Sequence, residues 1–252
     1  MLTLTCLLAT GALVVLAVVA AGLLGSDGAK PVAQDRQGPV VVVPGYGGRT
    51  ESLAPIVAAL RREERQVVVF TPDGDGTGDL RQEAGRLGEV AEDARRRAGS
   101  DSVDVIGYSA GGVVARLWVR DQGGAEIARR VMTVGSPHHG TTRAALAAQL
   151  ASGSCSEACV QLTPDSDLLR RLNAGDESPA GPLWITLRST SDQVVTPTDS
   201  ATLEGALDIA VQEVCPGSTT VHGALPGDPV VLAALISTLG TGAPAAPTGV
   251  SC

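Results

Sequence analysis

The sequence predicts an α/β protein, with a mostly parallel sheet of about six strands and helices on both faces. Three observations carry this. Short runs rich in valine and isoleucine alternate with helix-like stretches through residues 39–239, the order that parallel crossover units require. No internal repeat interrupts that order. The chain has 252 residues, 44% of them apolar, enough for one sizeable core and too few for two.

The elements follow in turn. "PVVVV" at 39–43 is the first strand, and residues 52–64 read as the helix after it. "QVVVF" at 66–70 is the second strand. Residues 79–98 place Leu80, Ala84, Leu87, Ala91, Ala94 and Ala98 on one helical face. "SVDVIG" at 102–107 is the third strand, and 110–121 is its helix. "RRVMTVG" at 129–135, "LWITLRS" at 183–189 and "ALDIAVQEV" at 206–214 supply the last three strands. "DPVVLAALISTL" at 228–239 is the closing helix. Residues 136–182 break the rhythm and read as an insertion above the sheet with one or two short helices. The domain therefore runs from 39 to 240, after a linker at 26–38 and before a tail at 241–252. With only five aromatic residues, the core must be built from Ala, Val, Leu and Ile.

Composition narrows the function. There are 27 acidic and 19 basic residues, a net charge of −8, and no basic cluster beyond "RRR" at 95–97. That argues against nucleic acid as a partner. Residues 1–25 carry no charged side chain. The run is long enough to span a bilayer, and its small residues at Ala20, Ala21 and Gly22 suit a cleavage site. It reads either as a signal peptide or as a retained N-terminal membrane anchor, and both place the rest outside the cytoplasm.

Cysteine usage agrees with export. Cys6 lies in the apolar run, which leaves Cys155, Cys159, Cys215 and Cys252. Four cysteines allow three pairings. The expected pairs are Cys155–Cys159, across three residues, and Cys215–Cys252, which would tie down a linker-like tail. No histidine has metal-ligand spacing to these cysteines, so a zinc site is not expected.

The chemistry centres on Gly107-Tyr108-Ser109-Ala110-Gly111, a G-x-S-x-G motif with a strand before it and a helix after it. In that setting the serine sits on a tight strand-to-helix turn and projects from the carboxyl edge of the sheet. A serine hydroxyl needs a base. The chain has three histidines, and only His222 follows the fifth strand and precedes the last helix. The acid belongs in the loop after the fifth strand, where Asp192 is preferred. Asp199 is the rival and reads more simply as a helix N-terminal residue. Oxyanion donors are expected from the backbone N–H groups of Ala110 and of Tyr46, which follows Gly45 on the loop after the first strand.

The pieces "VVPGYGG", "DGTGDL", "GYSAGG", "VGSPHHGT", "STSDQVV" and "VHGAL" resemble the α/β-hydrolase family, and more closely small secreted bacterial lipases and esterases. The similarity covers about residues 38–240. It implies a minimal α/β-hydrolase fold and cleavage of carboxylic esters through an acyl-serine, with no cofactor. It also gives His138 and His139 a role in supporting the pocket. Two departures stand out: Pro44 occupies the place of the usual histidine before the oxyanion glycine, and the leading strands of longer members are missing.

Asp73, Asp75, Thr77 and Asp79 imitate the start of an EF-hand loop, but the loop lacks the glutamate at its twelfth position, so no metal is expected. The reading is an exported ester hydrolase with a small-molecule or lipid ester as substrate. Its alternatives are an acyltransferase or thioesterase with the same residues, and a catalytically silent envelope binding protein. Chain length of the acyl group and oligomeric state are left open.

Overall fold

The computed structural model describes residues 32–150 and 155–252. Six parallel strands form one sheet in the order β2-β1-β3-β4-β5-β6. They are β1 (Val40–Val43), β2 (Val67–Val69), β3 (Val103–Tyr108), β4 (Ala128–Val134), β5 (Leu183–Arg188) and β6 (Leu207–Ala210). The central strands β1, β3 and β4 are buried along their whole length, as a sheet covered on both faces requires. Edge strand β2 is half-exposed and only three residues long, shorter than the run at 66–70 suggests.

Helix α1 (Ala54–Arg62) starts with a proline in its first turn and follows a 3₁₀ segment, Thr50–Leu53. Helix α2 (Leu80–Ala98) is capped at its start by Asp79, whose carboxylate accepts from Arg81 N, and ends on Gly99 at φ 60°. Helix α3 (Ala110–Asp121) leaves directly from Ser109 and is buried along most of its length. Among its described residues the insertion holds three short helices where one or two were expected: α4 (Thr142–Leu150), α5 (Glu157–Gln161) and α6 (Asp167–Leu172). Ser156 and Ser166 cap the last two through their hydroxyls, which is how such short pieces start. Helix α8 (Pro229–Thr238) closes the fold, with Asp228 as its cap.

Two cores result. On one face Val41, Val43, Val105 and Val131 meet Leu87 and Ala91 of α2 and Trp118 of α3. On the other, Val42, Ile106, Met132 and Ile185 meet Ile56 of α1 and Leu235 of α8.

The run at 206–214 is not one strand. It is a strand only to Ala210 and then turns into the single-turn helix α7, Val211–Val214. The side chain of Gln212 explains the turn. Its amide N–H donates to Ser189 Oγ and Ser218 O, and its Oε1 accepts from Thr190 N. A continued strand could not aim that amide at both neighbouring loops.

The disulfides Cys155–Cys159 and Cys215–Cys252 are both formed, with Cα atoms 5.3 and 5.7 Å apart. Such bridges fit an oxidising compartment. The run at 1–25 lies outside the described residues. Among the described residues no helix is long and apolar enough to cross a membrane.

Candidate active site

Ser109 lies at φ 53°, ψ −126°, a conformation that non-glycine residues rarely adopt. The neighbours allow it. A Cβ on Gly107 would stand 2.5 Å from Gly112 N, and one on Gly111 would stand 2.5 Å from Pro44 O. Glycines at these positions let β3, α3 and the loop after β1 close on the serine. Glycine is therefore required two positions before and two positions after the serine.

His222 begins a 3₁₀ segment, His222–Gly227, that leads into α8. Its Nε2 lies 3.0 Å from Ser109 Oγ. Its Nδ1 lies 2.7 Å from Asp192 Oδ2. Asp192 sits in the loop after β5, and its other oxygen accepts from Val194 N at 2.7 Å and Val195 N at 3.0 Å. Asp192 and His222 are buried while Ser109 is half-exposed, so the chain of contacts opens to solvent at the hydroxyl. The two loops are locked together below. Ser189 Oγ donates to Thr220 O at 2.5 Å and accepts from Gln212.

Asp199 lies elsewhere, in the first turn of the 3₁₀ segment Thr198–Ala201, consistent with its reading as a helix N-terminal residue. Gly45 packs against the serine: a Cβ there would stand 2.9 Å from Ser109 Cβ. Tyr46 follows it with an exposed ring whose hydroxyl is 3.0 Å from Ser156 Oγ, linking this loop to the insertion. Ala110 is the first residue of α3, where backbone N–H groups have no helical acceptor.

Asp75 turns inward on its own loop and accepts from Thr77 N and Thr77 Oγ1, which lowers its pKa. Among the described residues, no group of three or more His, Cys, Asp or Glu is arranged to hold a metal ion.

The fold matches solved structures at low identity. Aspergillus fumigatus lipase B is 18% identical with a TM-score of 0.70, over 81% of this chain and 52% of that one. Bacillus licheniformis lipase BlEst2, in its mature form, is 16% identical with a TM-score of 0.69, over 86% of this chain and 96% of that one. The fold is the α/β-hydrolase fold. The chain spans about half the length of the fungal lipase. No curated protein matches its sequence. The class 2 lipase family model matches residues 92–215 of this chain, just under half of it. That match spans Ser109 and Asp192 and ends before His222.

The other two histidines of the chain do not reach the serine's partners. His138 is fully buried, with Nε2 3.0 Å from Thr133 Oγ1 and, among the described residues, no partner at Nδ1. Its backbone carbonyl accepts from Asn173, whose side chain also accepts from Arg116. His139 pairs with Glu177 at 2.8 Å. Arg116 is buried on α3 and donates to the carbonyls of Leu172 and Glu177. Its guanidinium, pushed down to about 10 by burial, fastens the insertion to the serine's helix. Sequence reading missed this network. Its one signal was an arginine inside an otherwise apolar helix.

Burial holds His138 well below its ordinary pKa of 6.5, with Arg116 and His139 adding to the shift. The folded chain keeps it neutral, while the unfolded chain protonates near its ordinary value. Below about pH 6.5 the unfolded state therefore binds a proton that the native state does not. Stability should fall with acid by up to about 1.4 kcal/mol per pH unit from this group. His138→Gln removes the titration. Denaturant unfolding from neutral to mildly acid pH should show a shallower loss in that variant; parallel profiles for the two proteins would contradict this.

Proposed function

We propose that this chain is an exported serine hydrolase that cleaves carboxylic esters, of small acyl or lipid type, through an acyl-serine. Ser109 is the nucleophile, His222 the base and Asp192 the residue that orients it. The observation that carries the proposal is the unbroken contact from Asp192 through His222 to Ser109, at 2.7 and 3.0 Å. Export is supported by the two disulfides and by the uncharged run at 1–25.

Each step follows from the donors and acceptors present. Ser109 Oγ adds to the ester carbonyl carbon as its proton passes to His222 Nε2. The carbonyl oxygen takes up the displaced electron pair and becomes an oxyanion. The N–H groups of Tyr46 and Ala110 are the donors that would hold it. Support for them is positional: Gly45 lies on Ser109, and Ala110 N is at a helix start. The intermediate collapses, the bond to the alcohol oxygen breaks, and His222 returns the proton to that oxygen. Water then repeats the sequence on the acyl-serine and releases the acid. Asp192 holds Nδ1–H, so Nε2 is free to accept, and stabilises the imidazolium while it lasts.

Hydrolysis of p-nitrophenyl esters of graded chain length tests this. A burst of p-nitrophenol equal to the enzyme present, followed by steady turnover, is the expected result. A burst that turns over only when an alcohol or thiol is added would indicate acyl transfer instead. No burst and no reaction with a fluorophosphonate probe would indicate a silent binding protein.

A further inference from the structure

Asp192 does not hold the His222 imidazole alone. Tyr108 ends β3, directly before the serine, and is buried. Its phenol donates to the backbone carbonyl of His222 at 3.1 Å. Its ring lies against the imidazole, with centroids 5.2 Å apart and planes 28° apart. Tyr108 belongs to a buried apolar cluster that also holds Ile106, Met132 and Val134. A hydroxyl left unpaired there would be costly, so the contact to His222 also explains why a tyrosine is tolerated.

We propose that Tyr108 is a positioning residue for the base. Its hydroxyl fixes where the His222 backbone stands, and its ring fixes the plane of the imidazole. Nδ1 can then meet Asp192 while Nε2 meets Ser109 Oγ. The flat contact also suits the reaction, because a positive imidazolium forms over an electron-rich ring face. Burial and the charge on Asp192 push the phenol up to about 12, so it keeps its proton and remains a donor. This inference rests on the proposed triad and adds a group that holds the base from the strand side.

The test compares the parent with Tyr108→Phe and Tyr108→Leu, using a p-nitrophenyl ester and thermal unfolding. Tyr108→Leu loses both contacts, and kcat should fall by about 10²-fold, the scale of a misplaced catalytic group. Tyr108→Phe keeps the ring and should fall less, by up to about tenfold, as for one hydrogen bond. KM should stay within about twofold of the parent in both, since neither contact touches the substrate. Parent-like kcat in the phenylalanine and leucine variants overturns the proposal, as does an equal rise in KM without loss of kcat. If the leucine variant fails to fold, the phenylalanine variant decides by the same criterion. A parent that shows no burst overturns the triad reading first; an active parent with insensitive variants overturns only the role of Tyr108.

Discussion

Replacing Ser109 by alanine is expected to abolish the acyl-enzyme and to lower kcat by about 10⁶-fold, the scale seen when a serine hydrolase loses its nucleophile. His222→Ala should be nearly as severe, because the hydroxyl then keeps its proton. Asp192→Asn should cost about 10⁴-fold, the scale of the analogous change in a serine protease. The reason is visible in the loop. An asparagine can still accept from Val194 N and Val195 N, so the loop stays in place. Its amide would instead face His222 Nδ1 with an N–H and favour the wrong tautomer. Asp199→Asn should remain within a few fold of the parent, since Nδ1 is already taken by Asp192. His138→Ala and His139→Ala should still form an acyl-serine. Burst kinetics with circular dichroism across this series measures all of it. A normal burst in His222→Ala, with none in His139→Ala, would contradict the assignment.

The second large effect is on stability, at the opposite end of β3. Asp104 is completely buried, and its Oδ2 accepts from both Arg65 and Arg129 at 2.6 Å. These two arginines, with Arg130, also donate to the carbonyls at the end of α8. Arg65 and Arg129 reach Leu239 O, Arg129 reaches Gly240 O, and Arg130 reaches Thr238 O. Carbonyls at a helix C-terminus have no helical donor, and cations there are favoured. One carboxylate thus holds the guanidinium groups that fasten the closing helix to the sheet. Asp104→Ala leaves them buried without their counter-charge. Breaking a buried pair from one side costs about 3–5 kcal/mol, a large part of a domain's stability. Asp104 lies five positions before Ser109, roughly 17 Å along the strand, so kcat of the folded fraction should not change. Denaturant unfolding is the measurement. A loss below about 1 kcal/mol would show that the cluster is not what holds α8.

Local pattern made most of the fold legible. Continuous runs of valine and isoleucine marked the buried strands, and the six apolar positions from Leu80 to Ala98 marked α2. The elbow was legible because its cost is local: two glycines, a strand before and a helix after. Asp192 and His222 followed from their order relative to strands. What stayed hidden depends on partners distant in sequence. Tyr108 fills the free position of the serine motif, and its contact to His222 spans 114 positions. Arg129 and Arg130 read as the polar start of a strand, yet both are fully buried, because α8 brings its carbonyls to them. The early end of β6 was hidden for the same reason. The bend serves Gln212, whose acceptors and donors lie on two other loops. The tail at 241–252 read as a linker tied down at Cys252, as the bridge bears out; that Val250 also packs on the core was not legible.

The central claim is that Ser109 becomes covalently acylated with His222 as its base. Peptide mass spectrometry after brief exposure to a fluorophosphonate tests it most directly. The account predicts one adduct, on the peptide carrying Ser109, formed rapidly in the parent and at least about 10³-fold more slowly in His222→Ala. An adduct on another residue, or labelling of Ser109 at the parent's rate without His222, would contradict it.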